Sequence, residues 1–262
     1  MIGKIHIGAS GIAGWNILKR NEARHLEIVA RDPQVTRSTQ YFCDNISSAE
    51  TADQLVGDYR MLSVALGAFG LEADIGNKAF IRKVLESDLS DKGSLANRLG
   101  DKRYLRLAEA FGYGASSDAR SFEEGFGDRI SQDYLQREFE RRVGEGDENL
   151  RLALNARREL EILRQRDSSD KTLWYEVLGN APLRSVFEGA FGFGPSYAKL
   201  PIDRQHAEFS AYSKRLIGSD SFSDIGRLES AEKIIRNFLL KSEAAASSSF
   251  NRFSAALSLL TR

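Results

Sequence analysis

Only four prolines interrupt the 262 residues, at positions 33, 182, 195 and 201. Proline removes a backbone donor and clashes with the preceding helical turn, so its scarcity leaves long stretches free to be helical. Within those stretches apolar residues recur at spacings of three and four, as in Leu55, Tyr59, Leu62, Leu66 and Phe69. That spacing gathers them on one face of a helix. After Pro33 no run of four to eight β-branched residues is bounded by turns. The expected fold is therefore all-α, a multi-helix orthogonal or bundle array.

Capping residues mark the helix ends. Asp32-Pro33 forms an N-cap and first-turn pair, and the helix after it carries Tyr41, Phe42 and Ile46. Thr51 caps a helix expected to run unbroken to Phe69 and to stop at Gly70, with Tyr59 inward. Further helices are expected at about 77–87, 92–99, 101–111, 127–143, 148–166, 170–178, 182–191, 201–217 and 228–243. The turn over 144–147, with two glycines, predicts an antiparallel hairpin of the long helices beside it. Residues 244–249 are small and polar and are expected to form a hinge. The tail beyond it sets Phe250, Phe253, Leu257 and Leu260 on one side. The expected parts are a lead-in over 1–47, a first helical unit over 48–143, a long helix with a second unit over 144–243, and a hinge with amphipathic tail over 244–262.

The most informative pattern is internal. Residues 55–71, LVGDYRMLSVALGAFGL, align without a gap to 177–193, VLGNAPLRSVFEGAFGF, 122 positions on. Gly57, Ser63, Val64, Gly67, Ala68, Phe69 and Gly70 match Gly179, Ser185, Val186, Gly189, Ala190, Phe191 and Gly192. Alanine and glycine let two backbones approach, and the final glycine takes the positive φ that stops a helix. Two related helical units are one explanation, with Phe69 and Phe191 in equivalent buried places. Convergent helix-ending chemistry is the other, since Ala110-Phe111-Gly112 repeats the ending a third time.

No site for chemistry emerges, and no catalytic, cofactor-binding or metal-binding residue is assigned. His6, His25 and His206 are far apart and none lies in a metal-binding frame. Cys43, the single cysteine, follows Tyr41 and Phe42 and reads as a small buried hydrophobe. Arg141-Arg142 and Arg157-Arg158 sit among glutamates and read as ion pairs within helices. The front of the chain imitates a dinucleotide-binding fold, with Gly8, Gly11 and Gly14 following a short apolar stretch. That fold needs further strand–helix units, and none follows. Residues 8–14 are expected to be a lead-in, with a helix from about Gly14 that places Trp15, Leu18, Glu22 and Leu26 along one face.

Lysine plus arginine equals aspartate plus glutamate at 37 each, so no overall basic excess points to nucleic acid. No run of 18 apolar residues predicts a membrane span, and the start lacks the apolar core of a cleavable signal peptide.

A longer stretch carries a resemblance. It comprises ALGAFGL over 65–71, Asn77, FIRKVLE over 80–86, LANRL over 95–99, DKRY over 101–104 and AFG over 110–112. It resembles the core of the family called domain of unknown function 1217. The likeness extends to AGW over 13–15, PQV over 33–35, RLALN over 151–155, GNAPLR over 179–184 and ALSLL over 256–260. The resemblance implies an alphaproteobacterial protein encoded among flagellar genes, with no activity or catalytic residue to carry over. The expectation that follows is a non-enzymatic, flagellum-associated structural or assembly protein with protein partners. It would be cytoplasmic or exported, and its oligomeric state is open. The alternative is a cytosolic helical binding or regulatory module acting on a motor, switch or signalling partner. On either reading the glycines at 8, 11 and 14 bind no nucleotide. Millimolar NAD, NADP or FAD should leave the melting temperature unchanged, and a saturable rise abolished by Gly11→Val would reverse this.

Overall fold

The computed structural model describes residues 4–114, 119–194 and 196–260, the last fourteen of these by backbone alone. Among the described residues no strand occurs and the architecture is all-α. The helices are α1 (Gly11–Ala30), α2 (Pro33–Asn45), α3 (Ala52–Gly57), α4 (Tyr59–Phe69), α5 (Lys78–Leu85), α6 (Leu95–Arg98) and α7 (Arg103–Phe111). They continue with α8 (Phe126–Gly144), α9 (Glu148–Gln165), α10 (Asp170–Gly179), α11 (Ala181–Phe191), α12 (Ile202–Ile217), α13 (Phe222–Ile225) and α14 (Leu228–Leu260). None is long and apolar enough to cross a membrane, among the described residues.

The chain divides into two compact units. The central unit is Asn21–Arg142, and the terminal unit joins Met1–Arg20 to Val143–Arg262. The expected separate lead-in over 1–47 therefore does not exist. Val35 and Phe42 of α2 are buried with the central core, while Trp15 and Leu18 of α1 are fully buried in the terminal unit. Helix α1 also begins earlier than expected, at Gly11, where Gly8 and Gly11 hold positive φ values. The expected hinge at 244–249 is likewise absent, because α14 is one unbroken helix through it. Alanine and serine fit a helix as readily as a hinge, and nothing local forces a break. The stripe at Phe250, Phe253, Leu257 and Leu260 lies outside the described side chains.

The single helix expected from Thr51 to Phe69 is two. Thr51 caps α3 with a capping box to Gln54. At Asp58 the backbone turns extended, φ −89° and ψ 108°, and the Asp58 carboxylate accepts from the Arg60 and Met61 amides to start α4. Tyr59 consequently faces solvent, 62% exposed, rather than the core. The same break recurs 122 residues later. Asn180, φ −94° and ψ 96°, ends α10 and caps α11 through the Leu183 amide. Both α4 and α11 then run eleven residues and stop at a left-handed glycine, Gly70 or Gly192. In each, the amide after that glycine reaches back to the fifth preceding residue's carbonyl, a Schellman closure.

What packs on these helices is also shared. Beside α4 lies the Tyr134 ring, so close that a Cβ on Gly67 would be 2.6 Å from it. Beside α11 lies Phe238, 2.6 Å from a Cβ on Gly189. Three residues further along each packing helix a cation covers the glycine stop, Arg137 over Gly70 and Lys241 over Gly192. Arg137 also donates to the Phe69 carbonyl. Helices α8 and α14 thus correspond at an offset of 104, with Asp128/Glu232, Arg129/Lys233, Ile130/Ile234, Asp133/Asn237, Tyr134/Phe238, Leu135/Leu239 and Arg137/Lys241 in register. The two units share a helix break, a helix stop and a packing helix.

Their cores differ in chemistry. The central core is chiefly aliphatic, built on Phe42, Leu55, Leu62, Leu66, Ile81, Leu107 and Phe111. The terminal unit is aromatic, with Trp174 edge-on to Phe187 and Phe222, and Phe193 stacked on Tyr197 at 3.9 Å. Phe191 is 6% exposed inside this cluster, whereas Phe69 is only half-buried, so the two rings are not equally enclosed.

The clamp predicts a matched pair of effects. Gly67→Ala and Gly189→Ala should each destabilise by roughly 1–3 kcal/mol through overpacking. Gly57→Ala, where a Cβ meets open space, should be neutral or slightly stabilising. Chemical denaturation reads all three, and a Gly67→Ala as harmless as Gly57→Ala would remove the clamp from the account.

Candidate functional site

An open cleft of about 370 Å³ lies in the central unit between α2 and α8. Asp32 starts α2 by accepting from the Gln34 and Val35 amides. Val35, Thr39 and Cys43 then recur every fourth residue and line one wall with Gln40. Asp128, Ser131, Gln132 and Leu135 of α8 form the other, and Ala30 lies at the rim. The helices run antiparallel. Cys43 meets the start of α8, where a Cβ on Gly127 would be 3.1 Å from the Cys43 Cα, and Asp32 pairs with Arg142 near its end at 3.1 Å.

Cys43 is a free, half-buried thiol on this cleft and not the enclosed hydrophobe expected from its neighbours. Its Sγ lies 3.3 Å from the Ser131 hydroxyl and 3.7 Å from the Asp128 carboxylate. Thr39 spends its hydroxyl on the Val35 carbonyl, and Gln40 donates to Asp44. The lining offers a thiol, hydroxyls, amides and one carboxylate around aliphatic carbon, with no histidine or lysine among them. Asp128 is the one carboxylate beside the Cys43 thiol, and the remaining lining groups are neutral contact groups.

The far end of the cleft is tied by charge. Glu138 accepts from Arg141 at 2.7 Å and from Arg142 at 2.8 Å, and Arg142 also reaches Asp32. Burial pulls the Glu138 carboxyl upward, but the hydrogen bonds from Arg141 and Arg142 outweigh it and hold it below the usual carboxylate range. Arg141 and Arg142 are ion-paired within their helix, as their setting suggested, and Arg158 pairs with Glu159 at 2.7 Å. Arg157 sits over the Trp15 ring, 5.5 Å from its centroid.

The three histidines do not converge. His6 is exposed near the chain start. His25 stacks on Phe139 at 6.5 Å, and burial, helped by Arg24, lowers its pKa. His206 stacks on Tyr175 at 5.2 Å in the terminal unit. Among the described residues no three His, Cys, Asp or Glu side chains are grouped to hold a metal ion.

The α8 wall of the cleft carried no signal of its own in the sequence. Asp128, Ser131 and Leu135 become readable only once α8 is aligned with α14, an alignment the 122-residue offset hides.

Fold and cleft together describe an all-helical protein of two compact units with a polar-edged seam between two helices of the central one. Residues 68–234, more than half of the chain, match the family described as Protein of unknown function (DUF1217), and the chain belongs to that family. The fold is similar to the crystal structure of protein AGR_C_984 from Agrobacterium tumefaciens, at a TM-score of 0.75 and 27% identity. The match covers 91% of this chain and 95% of that one. No curated protein matches the sequence.

The Glu138 network gives a pH signature. A carboxyl held below its unfolded value stabilises the fold above the unfolded pKa, and that contribution is lost as pH falls through the folded one. Glu138→Gln should therefore cost on the order of 1–3 kcal/mol at pH 7. Its melting curve should converge on the wild type as the solution is acidified below the carboxylate range. A gap that stays constant with pH would show that Glu138 contributes packing and not charge.

Proposed function

We propose that this chain is a non-enzymatic, flagellum-associated structural or assembly protein that works through helix contacts with protein partners. The observation that carries the binding part is the α2–α8 cleft, whose walls present hydroxyl, amide and aliphatic contact groups with one carboxylate. Exposed apolar residues on helices, Ile28 on α1 and Leu240 on α14, give further places for contact. The flagellar part rests on the family resemblance and what it implies about gene neighbourhood. A cytosolic module that binds a motor, switch or signalling partner would use the same cleft, and location separates the two.

Fractionation of a motile host is the test. The proposal expects the protein with purified basal bodies or in the culture supernatant with other exported subunits. Recovery in the cytoplasm alone, with motility unchanged by gene deletion, would overturn the flagellar reading. Removing residues 250–262 separates self-docking of the tail from partner docking, since an unchanged melting temperature with lost motility or co-recovery marks a partner. A lower melting temperature with gradual insolubility would instead place the tail's stripe on the chain's own surface.

A further inference from the structure

The two units seat the same pair of helices differently. In the terminal unit, α9 packs on α11 and on α14, and its C-terminal end lies at the start of α14, where Gly226 meets Leu160 and Arg164. In the central unit, α2 packs on α4, and its C-terminal end lies at the start of α8, where Gly127 meets Cys43 and Ile46. The seam between α9 and α14 is therefore the counterpart of the seam between α2 and α8.

The terminal seam is filled. The first half of α1 lies on it, with Gly14 against Leu150 of α9 and Gly11 against the Glu243 carboxyl of α14. Trp15 is fully buried, donates its indole N–H to Glu232 at 3.1 Å and carries Arg157 of α9 over its ring. One turn later Lys19 closes a 2.6 Å ion pair with the same Glu232. On the same helix as Glu232, Ile235 and Leu239 are 0% exposed.

The central seam holds the matching acceptor without that cover. Asp128 stands in register with Glu232 and is exposed, whereas the Glu232 side chain is only 18% accessible. Leu135 stands in register with Leu239 and is half-exposed on the cleft. Ser131 replaces Ile235, giving this floor a hydroxyl.

We infer that the α2–α8 seam is a docking groove for an amphipathic helix of a protein partner that carries an aromatic N–H donor and, one turn later, a lysine or arginine. The aromatic ring enters between Thr39, Cys43, Ser131 and Leu135, and the cation pairs with Asp128. The charge matches, because Asp128 is the groove's one acidic or basic lining residue. The inference rests on the duplicated geometry and holds or fails independently of where the protein works.

Cys43, the single cysteine, reports occupancy directly. The full-length protein is treated with a thiol-reactive disulfide reagent, and the rate of Cys43 modification is followed against a capped peptide of residues 11–20, the segment that fills the equivalent seam. Saturable protection is expected, lost when the peptide carries Lys19→Glu or Trp15→Ala. Asp128→Lys in the protein should weaken protection by about tenfold or more. Absence of saturable protection at millimolar peptide, or equal protection by the substituted peptides, would overturn the inference. Should Asp128→Lys not fold, the peptide substitutions against wild-type protein decide the question alone.

Discussion

The edge of an aromatic ring lies against a glycine within α4, and another against a glycine within α11. Much else follows from this approach. Glycine at 67 and 189 removes the Cβ that would hold the packing helix away, so α8 and α14 come close enough to carry Arg137 and Lys241 over the left-handed stops at Gly70 and Gly192. A cation at a helix C-terminus also complements the unpaired carbonyls and the negative end of the dipole. Each unit therefore fixes two helices and one chain reversal with four side-chain positions.

Around that shared clamp the units have diverged in what they bury. The central unit fills its interior with aliphatic residues and tethers polar groups at its edges, as Tyr113 and Ser121 do by both donating to the Ala49 carbonyl. The terminal unit concentrates rings, from Trp174 through Phe209 to Tyr197, which prefer edge-to-face arrangements that single out one packing. The shared clamp and the differing interiors have separate steric causes. The clamp is kept where backbones meet and steric tolerance is smallest, and the interior is free to change as long as volume is conserved. The same divergence leaves one seam covered by α1 and the other open.

Much of the fold was legible from local chemistry. Asp32-Pro33 and Thr51 act as caps, and Gly70, Gly112 and Gly192 end helices in the left-handed conformation. These features depend on three or four neighbouring residues, which is why the chain order alone reveals them. The break at Asp58 was missed because apolar spacing continues across it, while the carboxylate that ends one helix and starts the next reads equally well as a solvated side chain. Cys43 was misplaced for a related reason. Aromatic neighbours in sequence say nothing of the opposite wall, and that wall comes from α8, 85 residues away.

The sequence by itself determined the helical class, most helix ends, the 122-residue repeat and the family. All of these are written in periodicity, caps and matched positions along the chain. Tertiary structure decided that residues 1–20 fold with 143–262, that α8 and α14 are counterparts, and that Asp128 stands open where Glu232 is covered. Those facts are relations between helices far apart in sequence, set by which surfaces bury one another, and no local pattern encodes them.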